Sequence, residues 1–229
     1  PMILGIYADL HANMPALDAM EVAAGHVDQW VALGDSVGLY PQVNEVLDWQ
    51  RQHSVTYVRG DHEAALFEGG GLSGSFTGTE SIKKQAQVIS TENLSILSGL
   101  PSVFNLESDG LRICATHFLS SESHIAGSKY AIDLSLLEKK YEGYDFVFFG
   151  HTHLPAVLYG RNTIFINPGS AGFPVDVERR CSMVTLDTER RCFDFIRFNY
   201  DTDRLVKVVE DSGYNQKLVA YIRNGHRWI

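Results

Sequence analysis

A chain of 229 residues, 45% apolar and 21% charged, can build a sizeable core as one large domain or two small ones. Its formal net charge of −9 argues against general nucleic-acid binding, so any phosphate it handles needs a local positive charge such as a metal centre. Cys114, Cys181 and Cys192 have no framework spacing, and no apolar run approaches the ~18 residues of a membrane span, which points to a reducing, cytoplasmic setting.

Pro1 ahead of Met2 reads as an expression scar, and the N-terminus lacks the basic region of a signal peptide. Met2 to Ala8 is an apolar run that reads as a buried strand, followed by a helix over Pro15 to Ala24. Gln29 to Leu33 is a second strand, stopped by Gly34-Asp35. A helix opening at Pro41 carries the stripe Val43, Val46, Leu47 and Trp49. Ser54 to Val58 gives a third strand. This β-α-β-α-β order predicts a sheet with helices on its faces. Gly69 to Gly78 reads as a loop or lid, and Thr79 to Leu97 as a helix. Beyond Pro101, Val103 to Leu106 and Leu111 to Thr116 form a hairpin around Ser108-Asp109-Gly110. Tyr130 to Lys140 reads as helix and Asp145 to Phe149 as a buried strand. Further strands cover Ala156 to Tyr159, Thr163 to Ile166, Cys181 to Leu186 and Cys192 to Phe198. Asp203 to Glu210 and Gln216 to Arg223 are helical. Cys181 and Cys192 could face each other across their hairpin, although buried thiols fit better. The expectation is one domain over 1–229, two sheets with helices outside, completed by residues 181–229.

Acids and histidines fall just past the ends of the apolar runs. The first run ends in Asp9-Leu10-His11, the second in Gly34-Asp35 and the third in Gly60-Asp61-His62-Glu63. The fifth ends in Thr116-His117, and the Asp145 run in Gly150-His151-Thr152-His153. In such sheets, loops after successive strands converge on one crevice. Convergence would gather three carboxylates and five histidines, a donor set that suits Mn²⁺, Fe or Zn²⁺. Singly, Gly34-Asp35 is most often a plain turn, and Arg59-Gly60-Asp61 could be a turn, a helix cap or an adhesion tripeptide. Arg59 could offer charge to phosphate, but a salt bridge at the strand end fits it better. His26, His53, His124 and His226 lie outside the pattern.

The order D-x-H, G-D, G-x-H-E, H and G-H-T-H resembles the calcineurin-like metallophosphoesterase superfamily, in its small prokaryotic phosphodiesterase (YfcE-like) branch. The resemblance runs from Met2 to about Phe173 and includes Gly38-Leu39-Tyr40-Pro41, Asn44-Glu45 and Asn167-Pro168-Gly169-Ser170. It implies an α/β fold, a four-layer α/β/β/α sandwich of two mixed β-sheets flanked by helices. It also implies two divalent metal ions, Mn²⁺ foremost, with Fe, Zn²⁺ or Ni²⁺ tolerated. By resemblance Asp9, His11, Asp35 and His153 hold the first metal. Asp35 bridges to the second, held also by Asp61, His117 and His151. The same resemblance makes His62 the catalytic residue near the substrate, as proton donor or phosphate stabiliser. A metal-bridging hydroxide is then the nucleophile toward a small phosphoester, with diesters or nucleotides as the expected class.

Two departures from the family pattern stand out. Asp61 occupies a position where the family carries Asn, and Phe118 follows His117 where many relatives carry Gly. Three carboxylates, two divalent ions and one hydroxide sum to zero charge, where the family's amide would leave one positive charge. A neutral site is expected to hold cations more firmly at some cost in rate, and to favour monoanionic diesters. Two rival readings are a binding or scaffold module with weak or no catalysis, and a metal-dependent amidohydrolase. The latter places H-x-H first, whereas here D-x-H comes first. The aromatic-rich C-terminal region suits a homo-oligomer.

Overall fold

The computed structural model describes residues 2–69, 72, 76–119 and 132–227. The chain opens with β1 (Ile3–Tyr7), α1 (Met14–Ala24), β2 (Gln29–Ala32), α2 (Val43–Gln52), β3 (Thr56–Tyr57) and α3 (Asp61–Glu68). Then come α4 (Phe76–Val88), α5 (Thr91–Ser98), β4 (Val103–Ser108), β5 (Leu111–Thr116), α6 (Leu134–Lys140) and β6 (Phe146–Phe148). The chain continues through β7 (Pro155–Tyr159), β8 (Ile164–Pro168), β9 (Cys181–Asp187), β10 (Cys192–Phe198), α7 (Thr202–Asp211) and α8 (Gln216–Arg223).

Two five-stranded mixed sheets result, ordered β10-β9-β1-β2-β3 and β4-β5-β6-β8-β7. In the first, β1 pairs parallel with β2 and antiparallel with β9. In the second, β5, β6 and β8 run parallel. Alternation along each strand builds the layers. Leu4, Ile6 and Ala8 of β1 and its extension join Val31, Leu33, Phe146, Phe148 and Ile166 in a core between the sheets. Tyr7, Trp30 and Met183 point the other way, under α1, α2, α7 and α8. Val147 and Phe165 pack beneath α6 on the far face of the second sheet. The layers are therefore α/β/β/α. Truncating a fully buried residue such as Phe148 to Ala would cost about 3–5 kcal/mol.

Local differences from the sequence reading have physical causes. The helix expected over Thr79 to Leu97 is two helices. Ser90 takes extended backbone (φ −66°, ψ 151°) and its hydroxyl caps α5 by accepting from the Asn93 N–H at 3.1 Å. The helix expected at Pro41 begins at Val43, with Gln42 at the cap. Cys181 and Cys192 lie at opposite ends of their hairpin, because Cys181 pairs with Phe198 and Cys192 with Asp187. Of the loop expected over Gly69 to Gly78, Phe76 to Gly78 belong to α4, and 70, 71 and 73–75 lie outside the described residues. So do His124 and the start of the helix expected at Tyr130. The Asp109-Gly110 turn has positive φ at both residues (51° and 74°), the geometry a tight hairpin prefers. Among the described residues no helix is long and apolar enough to cross a membrane.

Candidate metal centre

The strands β1, β2, β3, β5 and β6 all end toward one side of the sandwich, and their loops carry the polar residues singled out above. The backbone turns sharply there. Asp9, His11, Asp35, His151 and His153 all adopt left-handed φ values of 54–69°. Asp and His tolerate this region better than most non-glycine residues, but such outliers persist only where surrounding structure imposes them. Here the loops are laced together. The Asp9 N–H donates to the Gly34 carbonyl (3.1 Å), and those of His11 and Ala12 donate to Asp35 and Ser36 (2.9 and 2.7 Å). The Ser170 hydroxyl donates to the Asp9 carbonyl (2.7 Å), and the Asn167 amide donates to the Gly150 carbonyl (2.8 Å). The Asn167-Pro168-Gly169-Ser170 stretch is thus a strut between two of the loops.

This lacing brings seven residues into two groups. Asp9, His11 and His153 offer ligand atoms that lie within 4.8 Å of one another, as do Asp61, His117 and His151. Asp35 groups with His11 and His62, and also with Asp9 and His117, so it stands between the two sets. The carboxylate of Asp9 is 3.5 Å from His153 Nε2, and Asp61 Oδ1 is 3.0 Å from His117 Nε2 and 3.3 Å from His151 Nδ1.

The donor set fits divalent ions for two reasons. First, His11, His117 and His153 each direct Nδ1 at a backbone carbonyl, of Val37 (3.1 Å), Leu33 (2.7 Å) and Phe173 (2.8 Å). For His11 and His153, donation there fixes the tautomer and leaves Nε2 as a lone pair facing inward, whereas His117 turns its Nε2 to the carboxylates of Asp61 (3.0 Å) and Asp35 (3.5 Å). The Nε2 atoms of His11 and His153 then converge at 3.2 Å, which needs a cation or a proton between them. Burial, with His62 and His153 nearby, pushes the pKa of His11 well below the ordinary range, so its own proton is a poor candidate. Second, no Lys or Arg among the described residues pairs with Asp9, Asp35 or Asp61; their charged partners are all histidines. Burial pushes the Asp9 carboxyl well above the usual range, and Asp35 and Asp61 add to the shift, although His117 opposes it. For Asp61, burial is outweighed by the hydrogen bonds from His117 and His151, which hold its carboxyl well below that range. Burial lowers the pKa of His117, but the charge of Asp35 and the hydrogen bonds to Asp35 and Asp61 outweigh it and hold the imidazole well above its ordinary range.

Glu63 had no role in the sequence reading beyond its place in the motif, and it organises the centre. Its buried carboxylate accepts from the backbone N–H groups of Asp35 (2.8 Å), Gly60 (2.8 Å), Ser36 (2.9 Å) and Val37 (3.2 Å), and from the Tyr57 hydroxyl. Four orphan donors from two loops are thereby satisfied by one side chain. The signal was present in G-x-H-E, but the partners come from a loop some 27 residues away. His62 sits at the start of α3, where its own N–H donates to Asp35 Oδ1 (3.0 Å). Its Nε2 is 3.9 Å from Asp35 Oδ2, and its buried Nδ1 has no hydrogen-bond partner among the described residues. It therefore lies at the edge of the cluster, its ring centroid 4.5 Å from that of His11 and a nitrogen within ligand distance of Asp35.

Other residues settle less centrally. Asp61 opens α3 instead of capping it; Gly60 is the cap, and the Asp61 carboxylate faces His117 and His151, against an adhesion role. Arg59, exposed, forms no ion pair among the described residues; its backbone N–H donates to Pro101, so the expected salt bridge is absent. Phe118 is 43% exposed, and its ring centroid lies 4.6 Å from those of both His117 and His151. It thus walls one side of the second group. His26, His53 and His226 lie elsewhere, paired with Asp28, with Glu21 and with Tyr200 respectively.

Comparison with known proteins fits this geometry. An uncharacterised protein of Methanocaldococcus jannaschii, MJ0912, is 25% identical over 217 residues, covering 87% of this chain and 88% of its own. A metallophosphoesterase from Sphaerobacter thermophilus superposes with a TM-score of 0.77 at 24% identity, covering 98% of this chain and all of that one. An archaeal phosphodiesterase of known structure superposes at 0.53 with 18% identity, covering 86% of this chain and 99% of that one, and shares the fold. The family model described as the calcineurin-like phosphoesterase superfamily domain matches residues 2–191. With that match over most of its length, the chain belongs to the calcineurin-like phosphoesterase superfamily.

Proposed function

We propose that the protein is a dinuclear metal-dependent phosphoesterase that hydrolyses small phosphodiesters, nucleotides included. The observation that supports this reading above all is the pair of three-residue ligand groups with Asp35 between them. Asp9, His11 and His153 would hold one divalent ion and Asp61, His117 and His151 a second, with Asp35 shared. Such ions supply charge to phosphoryl oxygens and acidify water, which this acidic chain cannot do unaided. Mn²⁺ is the first choice for carboxylate and imidazole donors, with Fe, Zn²⁺ and Ni²⁺ compatible. Glu63 fixes the loop that presents Asp35. The backbone carbonyls of Val37, Leu33 and Phe173 orient three of the imidazoles. His62, beside Asp35, would hand a proton to the departing oxygen. The charge of Asp61 favours monoanionic diesters over dianionic monoesters.

The test is metal content and turnover measured together. Protein supplied with Mn²⁺ is expected to carry two ions per chain and to cleave bis-p-nitrophenyl phosphate. Asp35→Asn is expected to lose both properties. His62→Ala is expected to keep its ions and lose about 10²–10⁴-fold in turnover, the usual share of a proton-transfer group. Two bound ions with no turnover on a panel of diesters and monoesters would instead establish a binding module.

A further inference from the structure

A lone surface phenylalanine needs no explanation, but Phe118 is not placed like one. Of the described residues with large apolar side chains exposed to solvent, it alone makes ring contacts with candidate ligands. Its ring meets that of His117 at 89° and that of His151 at 57°. Those contacts cover part of the side chain, and 43% of the residue still faces solvent. The backbone on either side is pinned. The Thr116 hydroxyl donates to the Phe118 carbonyl (3.0 Å), and the His117 carbonyl accepts from the Gly150 N–H (3.2 Å). An apolar plane is thus held at the rim of the centre, open to whatever binds there. Beside it, Leu119, Phe149 and Thr152 line a cleft of only about 10 Å³, room for about one water molecule. A substrate group is therefore not enclosed there; it lies against the ring from outside.

One ring alone makes no cage for a quaternary ammonium, whereas a second planar ring stacks on it well. The flank matters too. His62 lies beside His11, with ring centroids 4.5 Å apart, while Phe118 lies beside His117 and His151. The two residues therefore flank different ligand groups. The departing oxygen is assigned to His62, so the group against Phe118 is the one that stays on phosphorus. We propose that Phe118 determines specificity by stacking on an aromatic ring carried by the ester oxygen that phosphorus retains. The proposal rests on the phosphoesterase reading and narrows its substrate class to diesters bearing an aromatic group. Monoesters carry no second ester group, so the ring also favours diesters over them.

Phenyl p-nitrophenyl phosphate and methyl p-nitrophenyl phosphate test this, as monoanions that share one leaving group. They differ in intrinsic reactivity, so the ratio of their kcat/KM values is compared between chains supplied with Mn²⁺. Phe118→Ala is expected to lower the phenyl-to-methyl ratio about tenfold, the worth of a stacked ring with the area it buries. Phe118→Tyr, which keeps the ring, is expected to hold the ratio within about twofold. A second readout needs no catalysis. In methyl benzylphosphonate and methyl ethylphosphonate a CH₂ group replaces the retained ester oxygen. Calorimetry on the Zn²⁺-supplied chain is expected to show Phe118→Ala losing about tenfold in affinity for the benzyl compound and far less for the ethyl one. Both variants are expected to carry as many ions as the parent. Unchanged ratios, equal losses on both members of a pair, a ratio that Tyr fails to keep, or ions lost from Phe118→Ala would overturn the proposal. Selective binding of the benzyl compound by a parent chain that cleaves neither ester would overturn the phosphoesterase reading and leave the stacking role standing.

Discussion

At position 61 a carboxylate stands where the family pattern carries an amide, and its surroundings suit the charge. Asp61 Oδ1 accepts from two imidazoles at 3.0 and 3.3 Å, while its side chain keeps 35% exposure. An amide there would present N–H donors to nitrogens that already need acceptors or ions, and would remove one negative charge. At contact range in a partly shielded site, one unit charge is worth several kcal/mol before solvent and ions compensate. Asp61→Asn is therefore expected to lose metal to a chelator at least about tenfold faster. It is also expected to raise the ratio of monoester to diester turnover. Ion release followed by elemental analysis, with kcat/KM on a matched ester pair, checks both. If neither changes, the charge at this position plays no part in ion retention or substrate choice.

The loop 36–40 and α4 show how an element with no ligand of its own shapes the centre. Gln85 of α4 is fully buried and grips this loop with both ends of its amide. Its oxygen accepts from the Gly38 N–H (2.7 Å), and its nitrogen donates to the carbonyls of Gly38 (3.1 Å) and Tyr40 (2.6 Å). Ser81 adds a bond to the Leu39 carbonyl (2.8 Å). The loop so held lies against His62, and Gly38 is at φ 87°, where a Cβ would come within 1.9 Å of His62 Nδ1. Gly38→Ala is thus expected to displace His62 and, by straining the loop whose Val37 carbonyl orients His11, to loosen that ligand as well. Turnover should fall at least about 100-fold, and metal content measured alongside separates the two effects. Retained turnover would remove His62 from the proton-transfer role. The sequence made Asp9, Asp35, His117 and the G-H-T-H pair legible, because each ends an apolar run abruptly. Gln85 and Glu63 were not legible as supports, since their partners are mostly backbone groups of loops distant in sequence. The break between α4 and α5 had a local signal in Ser90, but the continuing apolar spacing on either side masked it.

On the scale of the molecule, strand spacing revealed two sheets with outer helices but not their order, because no local feature records which strands become neighbours. Residues 181–223 illustrate this. β9 inserts between β10 and β1, and α7 and α8 close the helical layer behind them. This last segment also supports the metal centre from outside: Tyr221 of α8 stacks on Phe173 (centroids 4.4 Å apart), whose carbonyl accepts from His153. His226, just beyond α8, ties the end of the described chain to the same layer. Its Nε2 lies 2.8 Å from the Tyr200 hydroxyl, its N–H donates to the Tyr221 carbonyl, and its carbonyl accepts from Arg179. Burial, with Arg179 nearby, lowers its pKa from 6.5 to about 4. An unfolded chain binds this proton near pH 6.5, whereas the folded one resists it until about pH 4. The unfolded state therefore holds more protons across that window, and stability must fall as pH drops through it. The same packing keeps a neutral Nε2 available to the Tyr200 hydroxyl, so protonation would also remove an acceptor from a buried donor. Urea midpoints of the parent chain and of His226→Gln, compared from pH 7 downward, isolate this contribution from that of the carboxylates. The parent should lose stability more steeply between about pH 6.5 and about pH 4, and the variant should follow a shallower line. Parallel curves would mean that His226 titrates alike in both states and that this end of the chain is open to water.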